Sequence, residues 1–138
     1  MNDQPIYVYI ASPYTKGDVA VNVRNSFLVA DELLAYGFCP FPPLYSHFWH
    51  FLSPKPYETW LELDKMWVKA CDCLLRMPGE SSGADGEVEF AEANGIPVFY
   101  SVEALVQHKR SIQAAKSRRL RGISTRNELE ILVSDCRD

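Results

Sequence analysis

Short apolar runs alternate with segments of helical periodicity along the first hundred residues of the chain. The runs are rich in β-branched and aromatic residues, as buried strands are. In the longer segments between them, apolar residues recur every three or four positions, which is typical of one face of a helix. The predicted strands cover residues 6–10, 38–41, 73–77 and 96–100, and the predicted helices cover residues 19–36, 57–71 and 87–94.

This order of elements predicts an α/β fold, because strands that alternate with helices favour a parallel sheet. We expect a Rossmann-like (flavodoxin-like) sheet of about four to five strands with helices on both faces. Ligands of such sheets bind beyond the carboxyl ends of the strands. Two turn-rich loops lie there, at residues 12–18 and 78–86. Their small residues would let backbone N–H groups approach an anion, although neither loop has the spacing of a Walker or dinucleotide motif.

The segment at residues 43–57 joins the second strand to the second helix and carries many rings. We predict a loop here, and a loop this aromatic either caps the core or lines a pocket. His47 and His50 are three residues apart but lack a third ligand, so we predict no metal site. The rings belong to Tyr45, His47, Phe48, Trp49, His50, Phe51 and Tyr57.

The last third of the chain is basic. Ser101 is suited to cap a helix that starts at Val102. Residues 109–126 contain seven basic residues and no acid, which indicates either a solvated helix face, a loose tail or a patch that attracts phosphate. We therefore divide the chain into an α/β domain at residues 1–108 and a basic C-terminal extension at residues 109–138. This extension either contributes to a dimer or is partly mobile.

Composition narrows the functional classes. The chain has 138 residues and a formal net charge of −4, which gives no electrostatic case for general nucleic-acid binding. It has neither a basic start followed by an apolar run nor a stretch near the ~18 apolar residues of a membrane span, so we expect no signal peptide and no membrane partner. The four cysteines lack zinc spacing and are interpreted as reduced thiols of a cytoplasmic protein.

Four carboxylates lie near the carboxyl edge of the predicted sheet. Asp64 sits in the middle of a helix among apolar neighbours, whereas Asp85, Glu87 and Glu89 lie at the start of the third helix. Glu87 and Glu89 are two residues apart, so at most one of them should face the cleft. The preference of helix N-termini for acidic residues is enough to explain any single one of Asp85, Glu87 and Glu89. A pair of acids on either side of the third strand also fits chemistry through a glycosyl-enzyme intermediate.

A set of motifs resembles the nucleoside 2-deoxyribosyltransferase superfamily over about residues 6–100. The order and spacing of the set are more specific than any single motif. The superfamily includes deoxyribosyltransferases and deoxynucleoside 5′-monophosphate N-glycosidases, and the resemblance implies a homodimer or a dimer of dimers. The motifs are YIASPYTKGD at residues 9–18, GFCPFPP at residues 37–43, Trp60 four residues before Asp64, CDCLLRMPGESSGADGE at residues 71–87 and GIPV at residues 95–98.

The resemblance assigns catalytic roles to two acids. Glu87 follows a glycine-containing loop, opens a helix and matches the nucleophile of the superfamily. Asp64 lies eight residues before Asp72 and matches the helical acid that orients the sugar hydroxyls or transfers a proton. Glu89 is a departure, because many members have glycine there. This extra acid either faces solvent or crowds the phosphate end of the site.

The resemblance also implies which residues bind the substrate. Ser81, with Ser82 and Gly83 beside it, matches a serine that binds the 5′-phosphate in the nucleotide-cleaving members. Ser12 and Tyr14 lie where the first loop contacts the ligand, and His47 matches a pocket histidine.

We therefore expect an enzyme that cleaves the N-glycosidic bond of a nucleoside or nucleotide without a metal or organic cofactor. Its sugar would pass from Glu87 either to water or to a second base, and the two serines favour 5′-monophosphates and hydrolysis. One alternative is a binding module of the same fold that holds a nucleotide without turnover. A weaker alternative is a structural subunit whose basic tail docks onto an acidic partner.

Overall fold

A computed structural model of the chain describes residues 4–122, and these residues form a four-stranded parallel sheet with helices on both faces. The strand order is β2-β1-β3-β4, so the chain turns to opposite sides after β1 and after β3. This confirms the predicted α/β, Rossmann-like class. The strands are β1 (Tyr7–Ala11), β2 (Cys39–Phe41), β3 (Cys73–Arg76) and β4 (Val98–Phe99), and the helices are α1 (Val19–Ala35), α2 (Ser46–Leu52), α3 (Tyr57–Ala70), α4 (Ser82–Ala93) and α5 (Val102–Leu120).

The two faces of the sheet are separated by the alternation of side chains along β1. Val8 and Ile10 point into one apolar core, where α1 and α5 contribute Leu33, Leu105 and Ile112. Tyr9 and Ala11 alternate with these residues along β1 and point to the other face. They pack there with Val68 of α3 and with Ala84, Val88 and Ala91 of α4.

The aromatic segment after β2 is more regular than predicted. The prediction of a loop was wrong for residues 46–52, which form helix α2, and a short 3-10 turn at Pro43–Tyr45 precedes it. Proline suits the first position of such a turn because its φ angle is already set. Rings at nearly every position leave no apolar period, so the sequence pattern gives no helical signal here.

Helix α4 begins five residues earlier than predicted, at Ser82 instead of residue 87. The Ser81 side chain caps it by accepting a hydrogen bond from the Ala84 N–H at 3.1 Å. Two glycines in the first turns, Gly83 and Gly86, lower the helix propensity of this segment and hid the start. As a result, Glu87 lies in the second turn of α4 and not at its opening.

Helix α5 continues across residue 108, where we placed the end of the α/β domain, and ends at Leu120. Ile112 and Ala115 on this helix are buried. Near its end, Lys116 and Arg119 form ion pairs with Asp72, both at 2.8 Å. Residues 123–138 lie outside the described residues, so the contribution of the extension to a dimer stays a prediction.

None of the helices in residues 4–122 combines the length and the apolar character that crossing a membrane requires.

Candidate active site

The candidate site lies at the carboxyl ends of β1 and β3, which are adjacent in the sheet. Ala11 and Arg76, the last residues of these strands, are paired in register. The chain leaves β1 and β3 toward α1 and α4, so the loops diverge and open a crevice between them. Crevices at such a reversal of strand order are the usual ligand sites of open α/β sheets.

Glu87 is a half-buried acid of this crevice, and its Oε2 atom is buried. It projects from the second turn of α4, and its Oε2 atom has no hydrogen-bond partner among the described residues. The pKa of Glu87 is raised to about 8, mainly by burial and also by the charge of Asp64. Tyr9 and Arg76 act in the opposite direction and favour the ionised form. A buried carboxyl oxygen without a hydrogen-bond partner is costly, which is typical of groups that bind a ligand.

Asp64 lies near Glu87 and projects from the middle of α3. Burial raises the pKa of Asp64 to about 7. Two neighbouring acids with raised pKa values titrate as a pair, so between pH 7 and 8 they share about one proton. Such a pair can supply one carboxylate and one proton donor at the same time.

Tyr9 belongs to this group, although sequence reasoning gave it no role. Its ring is fully buried under α3 and α4, and its hydroxyl has no hydrogen bond of regular geometry. Burial raises the pKa of Tyr9 well above its ordinary value, and the nearby Glu87 and Asp64 raise it further. The signal was available in the sequence, because a tyrosine on the inward face of a strand needs a polar partner for its hydroxyl.

The crevice opens into two adjoining cavities. The first has a volume of about 310 Å³ and a largely apolar wall built by α2 and α3. In this wall the Tyr14 hydroxyl and His47 Nδ1 are hydrogen bonded at 2.6 Å. Its lining residues are Tyr14, Leu44, Ser46, His47, His50, Lys55, Tyr57, Trp60, Leu61 and Asp64.

The second cavity, of about 280 Å³, is more polar and lies at the N-terminus of α4. It takes its wall from the two loops after β1 and β3, which an ion pair between Lys16 and Glu80 joins at 2.5 Å. Tyr14 and Tyr57 line both cavities and therefore stand between them. The other lining residues are Thr15, Lys16, Glu80, Ser81, Ser82, Gly83 and Asp85.

The structure brings most of the predicted site residues to these two cavities. Asp64 and His47 line the apolar cavity, and Ser81, Ser82 and Gly83 line the polar one. Ser81 has a second task, because its hydroxyl already caps α4. Tyr14 serves both cavities.

Two predicted residues lie deeper. Glu87 and Ser12 are in neither cavity wall, and the Ser12 hydroxyl is a further buried group without a partner. Glu89 is exposed, whereas Glu87 is half-buried and its Oε2 atom is buried, as expected for two acids of which only one faces inward.

Arg76 holds the loop between β3 and α4 in place. Its guanidinium donates hydrogen bonds to the backbone oxygens of Met77 and Gly79 and to Asp85, the last at 2.9 Å. The Arg76 side chain is largely buried, whereas the Asp85 side chain is exposed. The charge of Arg76 therefore stabilises the loop. It also favours the ionised form of Glu87.

No three histidine, cysteine, aspartate or glutamate side chains of residues 4–122 converge as the ligands of a metal would.

Comparison with known proteins gives a family but no activity. No curated protein matches the chain. A family model described as a domain of unknown function, DUF7768, matches residues 6–101. This stretch runs from the residue before β1 to the residue before α5. It contains Asp64 and Glu87. Since the match covers more than half of the 138 residues, the chain belongs to the DUF7768 family.

Proposed function

We propose that this protein cleaves the N-glycosidic bond of a nucleoside or nucleoside 5′-monophosphate, with a deoxy sugar favoured, through a covalent intermediate on Glu87. One observation carries the proposal. The Oε2 atom of Glu87 is buried without a hydrogen-bond partner beside a second acid, Asp64, at the carboxyl edge where ligands of this fold bind. The resemblance to deoxyribosyltransferases supports the same reaction.

In the first step, a Glu87 carboxylate oxygen bonds to C1′ of the sugar as the bond from C1′ to the base nitrogen breaks. The transition state resembles an oxocarbenium ion. The bonding pair leaves with the base, which takes up a proton from the site, and Asp64 is the acid able to donate it. In the second step, water or a second base attacks C1′, loses a proton and releases the Glu87 carboxylate.

The reaction needs a division of labour between the two acids. The nucleophile needs Glu87 ionised, and protonation of the leaving base needs a proton on Asp64. With pKa values of about 7 for Asp64 and about 8 for Glu87, the pair holds one proton between these limits, and this proton lies mainly on Glu87. The arrangement that the reaction needs is the smaller part of that population. Tyr9 and Arg76 increase this part, since both favour the ionised form of Glu87.

The two cavities support a substrate with an apolar and a polar end. The first could hold the base between aromatic walls, and the second would hold a 5′-phosphate at the N-terminus of α4. This arrangement favours 5′-monophosphates over nucleosides and hydrolysis over transfer to a base. A nucleoside that reacts as fast as its monophosphate would contradict the preference, and faster sugar release on addition of a free base would indicate transfer.

We further propose that the protein is a cytoplasmic homo-oligomer in which a second copy covers α2. Phe48, Phe51 and Leu52 expose 55%, 73% and 88% of their surface. The same helix contributes His47 and His50 to the apolar cavity, so a copy docked on α2 would adjoin the site. A double F51E/L52E change should lower the mass measured by light scattering to that of a monomer. An unchanged mass would exclude this face.

A second candidate is a nucleotide-binding module without turnover. The observation in its favour is the pKa of about 8 of Glu87, which leaves this group mostly protonated at neutral pH and able to donate to a sugar oxygen. Tight binding of a nucleotide that stays intact after long incubation would support this alternative.

Intact-protein mass spectrometry tests the covalent step. Acid quenching during turnover of a deoxynucleoside 5′-monophosphate should give a fraction of protein heavier by one deoxyribose phosphate, attached to the peptide that contains Glu87. The fraction should be absent from an E87Q protein and present in an E89Q protein, whose change lies two residues along the same helix. An adduct on any other residue would refute the assignment of the nucleophile.

A further inference from the structure

His50 stands at the rim of the apolar cavity in an arrangement that the proposed reaction does not explain. Its Nδ1 atom accepts two hydrogen bonds, one from the indole N–H of Trp60 at 3.0 Å and one from the backbone N–H of Lys55 at 3.2 Å. The three residues come from α2, from the loop after it and from α3. Three separate segments therefore converge on one ring nitrogen.

These bonds determine which nitrogen of the neutral ring carries hydrogen. An indole N–H and a backbone N–H can only donate, so Nδ1 must offer its lone pair to them. In a neutral imidazole the hydrogen is then on Nε2. His50 consequently has a fixed N–H donor on the side away from Trp60 and Lys55.

His47 differs from His50 in this respect. Its Nδ1 faces the hydroxyl of Tyr14, which can donate or accept, so either tautomer satisfies that bond. Of the two histidines in the cavity wall, only His50 is held in one tautomer by its neighbours.

Aromatic packing restrains the His50 ring as well. It meets the Trp60 ring edge-on at 5.8 Å, and Trp60 in turn meets Trp49 at 5.2 Å. The ammonium group of Lys55 lies 5.5 Å and 5.9 Å from the centres of the Trp49 and Trp60 rings. The His50 ring at the rim of the cavity is therefore restrained by its neighbours, beside an ammonium group that also donates to the Ser53 hydroxyl.

We infer that His50 selects the base of the substrate by donating its Nε2–H to a carbonyl oxygen, so that the protein prefers oxo bases to amino bases. The inference rests on the proposed function for the identity of the ligand as a nucleobase. A carbonyl oxygen completes the hydrogen bond. An exocyclic amino group in its place would set donor against donor, and His50 cannot change tautomer without losing both bonds at Nδ1.

The tautomer is measured without any ligand. Long-range proton–nitrogen NMR spectra of the full chain, with the His50 signals assigned from an H50F protein, should show a hydrogen on Nε2 and none on Nδ1 in the neutral ring. A W60F protein should show the second tautomer in part, because one of the two donors is lost. A neutral His50 with its hydrogen on Nδ1 in the unchanged protein would overturn the inference.

Base selection is measured by calorimetric titration with free hypoxanthine and free adenine, which differ at the exocyclic group. We expect hypoxanthine to bind at least about tenfold more tightly than adenine, and this ratio to approach one in H50F. H108Q is the matched control, since His108 lies on α5 and bonds to the Ala104 backbone oxygen. Equal affinities in the unchanged protein, no binding of either base, or a ratio retained in H50F would each overturn the inference.

The outcomes separate this inference from the proposed function. Base release that depends on Glu87 but shows no oxo preference would refute the role of His50 alone. An oxo preference that is lost in H50F, in a protein that cleaves no nucleoside or nucleotide, would refute the N-glycosidase and leave the role of His50 standing.

Discussion

Two acids with buried carboxyl oxygens lie at opposite ends of the same sheet and have opposite surroundings. Asp72, at the amino end of β3, accepts hydrogen bonds from the Tyr7 N–H, from Lys116 and from Arg119, all at 2.8 Å. Glu87, at the carboxyl end, has an oxygen with no partner. Both acids lie close to β1. Asp72 bonds to Tyr7 at the start of that strand, and Glu87 lies near Tyr9, two residues further on.

The contrast separates an acid that holds the fold together from one that is available for chemistry. The partners of Asp72 join β1, β3 and α5, and Lys116 also lies 4.6 Å from the centre of the Tyr7 ring. Each charge there is compensated. At Glu87 one carboxyl oxygen is buried without a hydrogen-bond partner, and burial outweighs the effects of Tyr9 and Arg76, so the pKa is raised.

Removing the charge of Asp72 should have the largest effect on stability. In a D72N protein, Lys116 keeps a buried charge without its partner, so the free energy of unfolding should fall by about 3–5 kcal/mol. Urea unfolding followed by circular dichroism measures this. E62Q is the control, since Glu62 forms an exposed pair with Lys65 and its loss should cost less than about 0.5 kcal/mol. Equal losses in the two proteins would show that the Asp72 network does not stabilise the fold.

Removing the charge of Glu87 should instead increase the free energy of unfolding. Its pKa rises from the ordinary 4.5 to about 8 on folding, so the folded state binds more protons than the unfolded state between these values. The stability of the unchanged protein therefore falls as pH rises through this window. E87Q should be more stable by at least about 2 kcal/mol at pH 9 and by much less at pH 5. A gain that does not depend on pH would mean that Glu87 is already ionised at neutral pH.

The pH dependence of turnover should report the acid pair. With pKa values of about 7 and about 8, kcat/KM should be bell-shaped, with a maximum near pH 7.5 and a loss of about tenfold per pH unit on either side. Below the bell both acids are protonated, and above it both are ionised. In D64N the acidic limb should persist and the alkaline limb should disappear, because only the ionisation of Glu87 remains. A single limb in the unchanged protein would contradict a shared proton.

Tyr9 gives the smallest and most specific test. Its hydroxyl favours the ionised form of Glu87, so Y9F should move the alkaline limb of the profile upward by less than about one pH unit. The stability should change little, because the lost hydroxyl has no regular hydrogen bond. Y7F is the matched control on the same strand, since Tyr7 is at the far end of β1 and half of its side chain is near solvent. A downward shift in Y9F would show that the hydroxyl favours the protonated acid.

The sequence predicted the parts of this contrast that depend on local pattern. Four strands and three long helices follow from periodicity, and the different exposure of Glu87 and Glu89 follows from their spacing of two residues. Helix α2 was missed because its rings leave no period, and the start of α4 was missed because of its glycines.

Long-range partners were beyond the reach of the sequence. Lys116 and Arg119 lie 44 and 47 residues from Asp72, and in a basic run they resemble a solvated face. The cluster of Tyr9, Asp64 and Glu87 likewise depends on the packing of α3 and α4 over β1. Two of these residues, Asp64 and Glu87, were indicated as a pair by their places on either side of the third strand and by the resemblance to a known superfamily.

If Glu87 is the nucleophile, the bond between sugar and base should break only when its carboxylate is present. The direct test is chromatographic detection of free base after incubation with the common deoxynucleosides, ribonucleosides and their 5′-monophosphates, for the unchanged protein, E87Q and E89Q. We expect base release to be at least about 10³-fold slower in E87Q and nearly unchanged in E89Q. Release at a similar rate in E87Q, or release from no substrate at all, would contradict it.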